Sequence, residues 1–321
     1  MSYTPKVPPI AKSTSELPLD SDDGTIVFDT SEDKPLVIKN NNAEDISGGD
    51  PQTVGTPSIV FFQGGRVELV QGDLDGASKK YNNPPLGDKV NYLVIGSSCT
   101  KIQNQCFLMN AFGEGTTENF KIVIPPNVKT IRAGAFNNID SVATTCGIEL
   151  EFHEGLETID TSGFSNTEAL TGDIKLPESL TDLGMFAFVS CGNSVDPISK
   201  FTFNAGITII PFRVLSNSFV DEIIIPEGII ELHAGCFYNC SVSTPLNIPS
   251  SVTNIQEEIL SFCLNLTTIN SYAAKGAFKN SSLSYSNITT IHAKINDNSW
   301  AAGTGQTIGG KSGIEVIKDL T

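Results

Sequence analysis

Apolar residues recur along this chain at a fixed set of offsets. Counting from Ile225, they fall at +4 (Ile229), +7 (Leu232) and +12 (Phe237). The same offsets give Ile95, Cys99, Ile102 and Phe107, then Ile124, Val128, Ile131 and Phe136, then Phe152, Leu156, Ile159 and Phe164. They continue as Leu176, Leu180, Leu183 and Phe188, as Phe203, Ile207, Ile210 and Leu215, and, beyond the Ile225 copy, as Ile248, Val252, Ile255 and Leu260. All 28 positions of these seven copies are apolar or Cys in a chain that is 39% hydrophobic. Successive copies are 29, 28, 24, 27, 22 and 23 residues apart. A degenerate further turn is expected around Leu266 and Ile269 or Ile288 and Ile291.

Each offset has a physical task. The residues before the anchor, as in "KIVIP" and "EIIIP", alternate with the period of two that marks a short strand. Pro125, Pro177, Pro226 and Pro249 follow the anchor and end the strand, because proline cannot donate to a ladder. Gly, Asn or Ser then fills a turn. "AGAF" and "AGCF" predict a short helical or 3-10 turn whose Phe plugs the interior. One copy cannot bury these side chains alone. Stacked copies, one coil every ~4.8 Å, bury them as continuous ladders in a curved rod of roughly 35–40 Å. The predicted fold is a β-rich repeat solenoid, and the 28 positions are its core ladder.

The frame in "VIPPNVKTIRAGAFNNI", "KLPESLTDLGMFAFVSC", "IIPEGIIELHAGCFYNC" and "NIPSSVTNIQEEILSFC" resembles leucine-rich repeats of the BspA-like type, over about residues 89–270. The resemblance implies a recognition surface rather than a reaction. It also implies a secretion signal that this N-terminus does not show, since "MSYTPKVPPIAKSTSELPLD" has no apolar core.

The flanks differ in composition. Residues 1–23 are polar, Pro-rich and acidic, as in an arm or linker. "GTIVFDTSEDKPLVIKN" predicts strand, turn and strand, with Thr25–Phe28 and Pro35–Lys39 paired, and is similar to segments of phage tail-fibre and other virion proteins. Residues 40–57 look like linker. "SIVFFQGGRVELV" predicts a β-hairpin closed by Gly64 and Gly65. The expected division is an arm and hairpin at 1–57 for attachment or oligomerisation, a β-hairpin lead-in or N-cap at 58–88, the solenoid at 89–295 and a C-terminal cap at 296–321. That cap holds the single Trp, Trp300, and a strand at Ile314–Ile317.

Charge removes some partners. With 36 acidic against 20 basic residues, the formal charge of −16 opposes the counterion release that nucleic-acid binding needs, and it opposes anionic membranes. No run reaches the ~18 apolar residues of a spanning helix. Charged residues make up 17%, below the ~25% usual for soluble domains, and Ser, Thr and Asn fill the polar surface instead. Seven cysteines, an odd number not crowded into a small domain, do not suggest a disulfide framework.

Candidate chemistry is thin. His233, Cys236 and Cys240 have a spacing that zinc accepts. Yet Cys191 and Cys263 stand in the same +3 relation to Phe188 and Leu260 without a His, so the cysteines are expected in an interior ladder and no metal or other cofactor is expected. His153 and His292 are isolated. Asp20 to Asp29, and Asp73 with Asp75, read as solvated acidic turns. No GxSxG, HExxH or P-loop motif is present, so a non-enzymatic protein is expected. The sequons at Asn239, Asn265, Asn280 and Asn287 read as a by-product of an Asn-rich surface.

Two functions fit. The first is a phage or virus virion component: residues 1–57 bind other virion or surface proteins, and the solenoid contacts a host glycan or protein, as a homo-oligomer with the trimer of a fibre. The alternative is a BspA-like cell-surface adhesin or recognition protein. A glycan-active enzyme ranks third.

Overall fold

The computed structural model describes residues 100–107, 119–139 and 147–321 in full, and elsewhere the backbone of strands at 26–29, 34–39, 42–45, 58–62, 68–69, 90–95, 111–112 and 140–141. The described residues coil into a β-solenoid of about 8 turns with almost no helix. Each coil opens with a strand such as Phe120–Ile124, Ile148–Phe152 or Val220–Ile224. Within a sheet these strands pair in parallel and in register, Ile124 opposite Phe152 and Phe201 opposite Ile223. A two-residue strand follows in each coil, and Ile102, Ile131, Ile159 and Leu183 stand side by side along that second sheet.

Side chains at the ladder offsets point inward. Ile102, Phe107, Ile124, Val128, Ile131, Phe136, Leu156, Ile159 and Phe164 are buried, as are Leu176, Leu180, Leu183 and Phe188. So are Phe203, Ile207, Ile210, Leu215, Ile225, Ile229, Leu232, Phe237, Ile248, Val252, Ile255 and Leu260. Phe152 is partly buried and packs on the core, while the side chains of Ile95 and Cys99 lie outside the described residues. Parallel strands sit ~4.8 Å apart, and that pitch suits flat rings. Phe107, Phe136, Phe164 and Phe188 form a stack with centroids 4.7, 4.9 and 5.1 Å apart and planes within 6° of parallel. Leu215 interrupts the stack with a smaller side chain. Phe201 and Phe203 lie beside this break, Phe201 meeting Phe188 edge to face at 5.0 Å and Phe203 reaching Phe237 at 6.1 Å.

Three sequence expectations are corrected. Ser58–Phe62 and Glu68–Leu69 do not pair as a hairpin across Gly64 and Gly65. Ser58–Phe62 runs parallel to Val90–Ile95, and Glu68–Leu69 parallel to Lys101–Ile102. The two β-runs belong to different sheets because Phe62 and Leu69 occupy the anchor and +7 places of an earlier coil. Second, residues 40–57 are not all linker, since Asn42–Asp45 adds a third antiparallel strand to the Ile26–Asp29 and Lys34–Lys39 pair. Third, the "AGAF" segments are not helical. Two residues per coil, at +10 and +14, take positive φ, for example Ser162 (59°) and Asn166 (56°), and left-handed residues break a right-handed turn. Lys275–Ala277 is the one 3-10 helix among the described residues. The further turn expected around Leu266 and Ile269 or Ile288 and Ile291 is present at both places. Thr268–Ser271 and Thr290–Lys294 continue the parallel sheet, and Phe278 bridges to Ile255. The frame was hidden there because Ser271 and Lys275 hold the anchor and +4 places. The arm at 1–23 and the acidic turns at Asp20 to Thr25, Asp73 and Asp75 lie outside the described residues.

The C-terminal strand Lys311–Leu320 pairs in parallel with Thr290–Lys294 and folds back antiparallel on Gly303–Ile308. Trp300 is buried here. Its indole Nε1 donates to the Ala273 carbonyl at 3.0 Å, and its ring meets Phe278 edge to face.

Coils are also joined by side chains. Glu154 accepts the backbone N–H groups of Glu178 and Ser179, and Glu227 accepts those of Ser250 and Ser251, each from the next coil. Ser179 and Ser251 answer by accepting from Gly155 and Gly228 and donating to the Leu156 and Ile229 carbonyls. The N–H groups of Glu178 and Ser179 hold the Glu154 carboxyl below its ordinary value of 4.5. At Glu227, burial works upward, but the Ser250 and Ser251 donors outweigh it and the carboxyl is lowered. A group with a lowered folded-state pKa contributes stability that is whole above the unfolded value and lost as pH falls through the folded one.

Two predictions follow from this packing. Phe136→Ala in the stack, or Phe237→Ala beyond its break, should cost ~3–5 kcal/mol in chemical denaturation, through the cavity left in the core. A loss below ~1 kcal/mol would remove the ring ladder from the core. The double variant Glu154→Gln, Glu227→Gln should flatten the fall in melting temperature below about pH 4.5, and an unchanged acid limb would show that these carboxylates clamp nothing.

Candidate functional site

His233, Cys236 and Cys240 are adjacent in sequence and separated by the fold. His233 lies on the outer surface, its Nε2 3.3 Å from Glu231, whereas both cysteines are buried. Among the described residues no group of three His, Cys, Asp or Glu side chains is placed to hold a metal ion. His153 and His292 are likewise on the surface, 2.8 Å from Glu151 and Asp319.

The +15 cysteines are hydrogen-bond donors. Cys191, Cys240 and Cys263 direct Sγ at the carbonyls of Phe164, Leu215 and Phe237, at 3.1, 2.9 and 2.9 Å. Each acceptor is the +12 residue of the preceding coil. Thr167 and Ser218 do the same with hydroxyls, toward Phe136 (3.1 Å) and Phe188 (2.8 Å). The position selects a small donor, and a thiol serves as well as a hydroxyl. Burial pushes the Cys191 and Cys263 thiols up to about 12, which keeps the proton on sulfur. Cys191→Ser should therefore change stability by less than ~1 kcal/mol, while Cys191→Val should cost ~1–3 kcal/mol by leaving the Phe164 carbonyl unpaired. Equal costs in thermal denaturation would reduce the position to space filling.

The outer faces differ in kind. The face of the long strands carries charge that is largely neutralised in place. Lys121 pairs with Glu151, and Lys200 with Glu222 at 3.0 Å. Burial works to raise Glu151, but the Lys121 hydrogen bond and charge, with His153 beside it, hold the carboxyl below its ordinary range. A shallow cleft of about 390 Å³ opens over Gly172, lined by Lys121, Glu149, Glu151, Asp173 and Lys175. Further along, this face turns amide-rich, with Asn270 donating to Asn247 at 2.8 Å.

The turn side carries something else. Phe186 and Phe212 meet edge to face at 5.3 Å, and the Arg213 guanidinium lies 5.5 Å from the Phe212 ring centre and 4.8 Å from that of Tyr238. Tyr238 meets Phe262 at 5.3 Å, and Phe262 stacks on Tyr285 at 5.7 Å. With Met185 this makes a continuous ribbon over five successive coils. It is open to solvent: Met185 is 48% exposed, Phe262 43% and Tyr285 68%.

The backbone under the ribbon makes it unusual. Asn138, Asn166, Asn217 and Asn239, with Ser190 in one coil, fill the +14 place elsewhere, with φ of 54–59°. Asn tolerates that region, and a bulky ring there is an outlier. Phe262 (63°) and Tyr285 (58°) occupy the same place, and Phe186 (59°) and Arg213 (51°) hold the left-handed +10 place. The inter-coil ladder fixes this geometry whatever the side chain, since the N–H groups of Asn217, Asn239 and Phe262 all donate to the next coil at 2.7–3.0 Å. These four residues incur backbone strain, and Phe262 and Tyr285 also incur exposure, offset within the chain only by ring contacts at the surface. The seven-copy count did not find the ribbon, because its members lie at +9, +10, +13 and +14, outside the ladder offsets. A search for aromatic residues at sites that demand positive φ would have found it.

A parallel β-solenoid whose outward side chains form surfaces rather than an enclosed site defines a repeat scaffold. The BspA type leucine-rich repeat region model matches residues 109–196, 144–267 and 193–305. The chain belongs to the BspA-type leucine-rich repeat family. Comparison with curated proteins gives no match. Among solved structures, the pneumococcal vaccine antigen PcpA is similar at 15% identity over 72% of this chain and 80% of that one, with a TM-score of 0.30. A leucine-rich repeat protein of Bacteroides ovatus is 15% identical over 80% of this chain and 61% of that one, at 0.37. A leucine rich cell surface protein of Faecalibacterium prausnitzii is 12% identical over 88% and 90%, at 0.28.

Proposed function

We propose that this chain is a non-enzymatic recognition protein of the adhesin kind, working at a cell surface and binding a macromolecule through the aromatic ribbon. The single observation that carries this reading is the placement of exposed Phe262 and Tyr285 at left-handed positions that Asn or Ser fills elsewhere. Aromatic residues, Met and Arg are also the types enriched where proteins bind one another. The family match favours a binding scaffold and adds no catalytic motif. No helix among the described residues is long and apolar enough to cross a membrane. The virion reading gains nothing from these comparisons, and the likeness of residues 24–40 to virion segments is one that any hairpin chemistry produces.

The test displays the full chain on a non-adherent bacterium and measures adherence to epithelial cells, to matrix-coated wells and to like bacteria. The variant Phe262→Asn, Tyr285→Asn restores the residue other coils use, so it should melt at the same temperature or higher while adherence falls at least ~tenfold. Equal adherence would remove the ribbon from function, and a wild-type chain that adheres to none of the three would overturn the adhesin reading.

A further inference from the structure

Resting on the ribbon as the binding surface, we infer that its occupant is a second copy of this chain, paired antiparallel about Tyr238. Ring orientation first narrows the class of partner. Phe262 and Tyr285 are within 2° of parallel and stacked on each other, and Arg213 lies over the rings of Phe212 and Tyr238. The ring faces are thus used inside the ribbon, and what it offers outward is ring edges, the outer face of Tyr285 and the Arg213 N–H groups. A pyranose needs free ring faces for stacking. A protein surface packs against edges.

Charge then selects the copy. The chain as a whole carries −16, which repels a second copy at long range. The ribbon is different, because the coil before its centre holds a cation and the coil after it holds anions. Arg213 occupies the +10 place in the Phe203 coil, Gly235 the same place in the Ile225 coil, and Glu258 the same place in the Ile248 coil with Glu257 beside it. Arg213 and Glu258 form no ion pair within the chain among the described residues. A two-fold axis across the central coil sets Arg213 of each copy against the other's coil of Glu257, Glu258 and Phe262. Each contact occurs twice, as an isologous interface requires. At the centre Gly235 lacks a side chain, and the space a Cβ would take is bordered by Arg213 Cγ at 3.3 Å. Gly235 is itself buried, and the missing Cβ lets the Arg213 stem and Tyr238 lie flat over it at the centre of the contact. Met185 and Phe186 at one end of the five coils meet the coil of Tyr285 at the other. Four steps of ~4.8 Å give a contact about 20 Å long. That length supports a weak dimer rather than an obligate one. Displayed on facing surfaces in many copies, such a contact gains by multivalency.

The experiment is sedimentation velocity on the full chain over rising concentration, with melting temperatures in parallel. The wild type is expected to pass from monomer to dimer in the micromolar range. Arg213→Glu and Glu258→Arg alone should each weaken the dimer at least ~tenfold, and the double exchange should recover most of it. Phe262→Asn with Tyr285→Asn should be monomeric with an undiminished melting temperature. A wild type that stays monomeric, assembles beyond a dimer, or is not rescued by the double exchange overturns the inference. So does ribbon-dependent binding to a glycan array, which would name a different occupant. If the wild type stays monomeric yet the displayed chain still adheres through the ribbon, the surface reading stands and only the choice of partner falls.

Discussion

Every feature of this protein depends on the hydrogen-bonded step between one coil and the next. Parallel strands fix that step at ~4.8 Å, and the whole coil must obey it, turns included. The pitch is also the distance at which aromatic rings stack, so Phe107, Phe136, Phe164 and Phe188 rise through the interior in near-parallel contact. It dictates left-handed residues at two places per coil, because only then do the turn N–H groups meet the carbonyls of the next coil. It sets the task of the +15 residue, a small donor aimed back at the coil before it, whether Thr167, Cys191 or Ser218.

A backbone so heavily determined releases its outward side chains from folding duty. On the long-strand face that freedom is spent on ion pairs and amide rows that satisfy one another. On the turn side it goes into a ribbon that nothing among the described residues completes. The strained rings of Phe262 and Tyr285 persist because the ladder holds their φ in place. An isolated turn would not keep Phe in that conformation, since the left-handed well disfavours bulky side chains.

The ladder was legible because burial leaves a periodic trace. Ile124, Val128, Ile131 and Phe136 must be apolar, and their offsets repeat with the coil. Where the trace failed, a physical reason is visible. Ser271 and Lys275 broke the pattern at the last coils because a single anchor can be polar when its neighbours already hold the strand. Gly64 and Gly65 imitated a hairpin because two-residue turn chemistry is local, whereas the choice between closing on the same sheet and crossing to another depends on the coils above. "AGAF" imitated a helix for the same reason: its letters permit a helical turn, and the ladder forbids one.

The sequence by itself determined the repeat, the residues that face inward and the absence of any catalytic motif, since these follow from composition and spacing along one dimension. Only the tertiary structure decided which outward residues are neighbours. Met185, Phe212, Tyr238, Phe262 and Tyr285 are scattered over a hundred residues and at drifting offsets. They become one surface because stacking brings each coil within van der Waals reach of the next. The same stacking parted His233 from Cys236, three residues along the chain and on opposite sides of its wall.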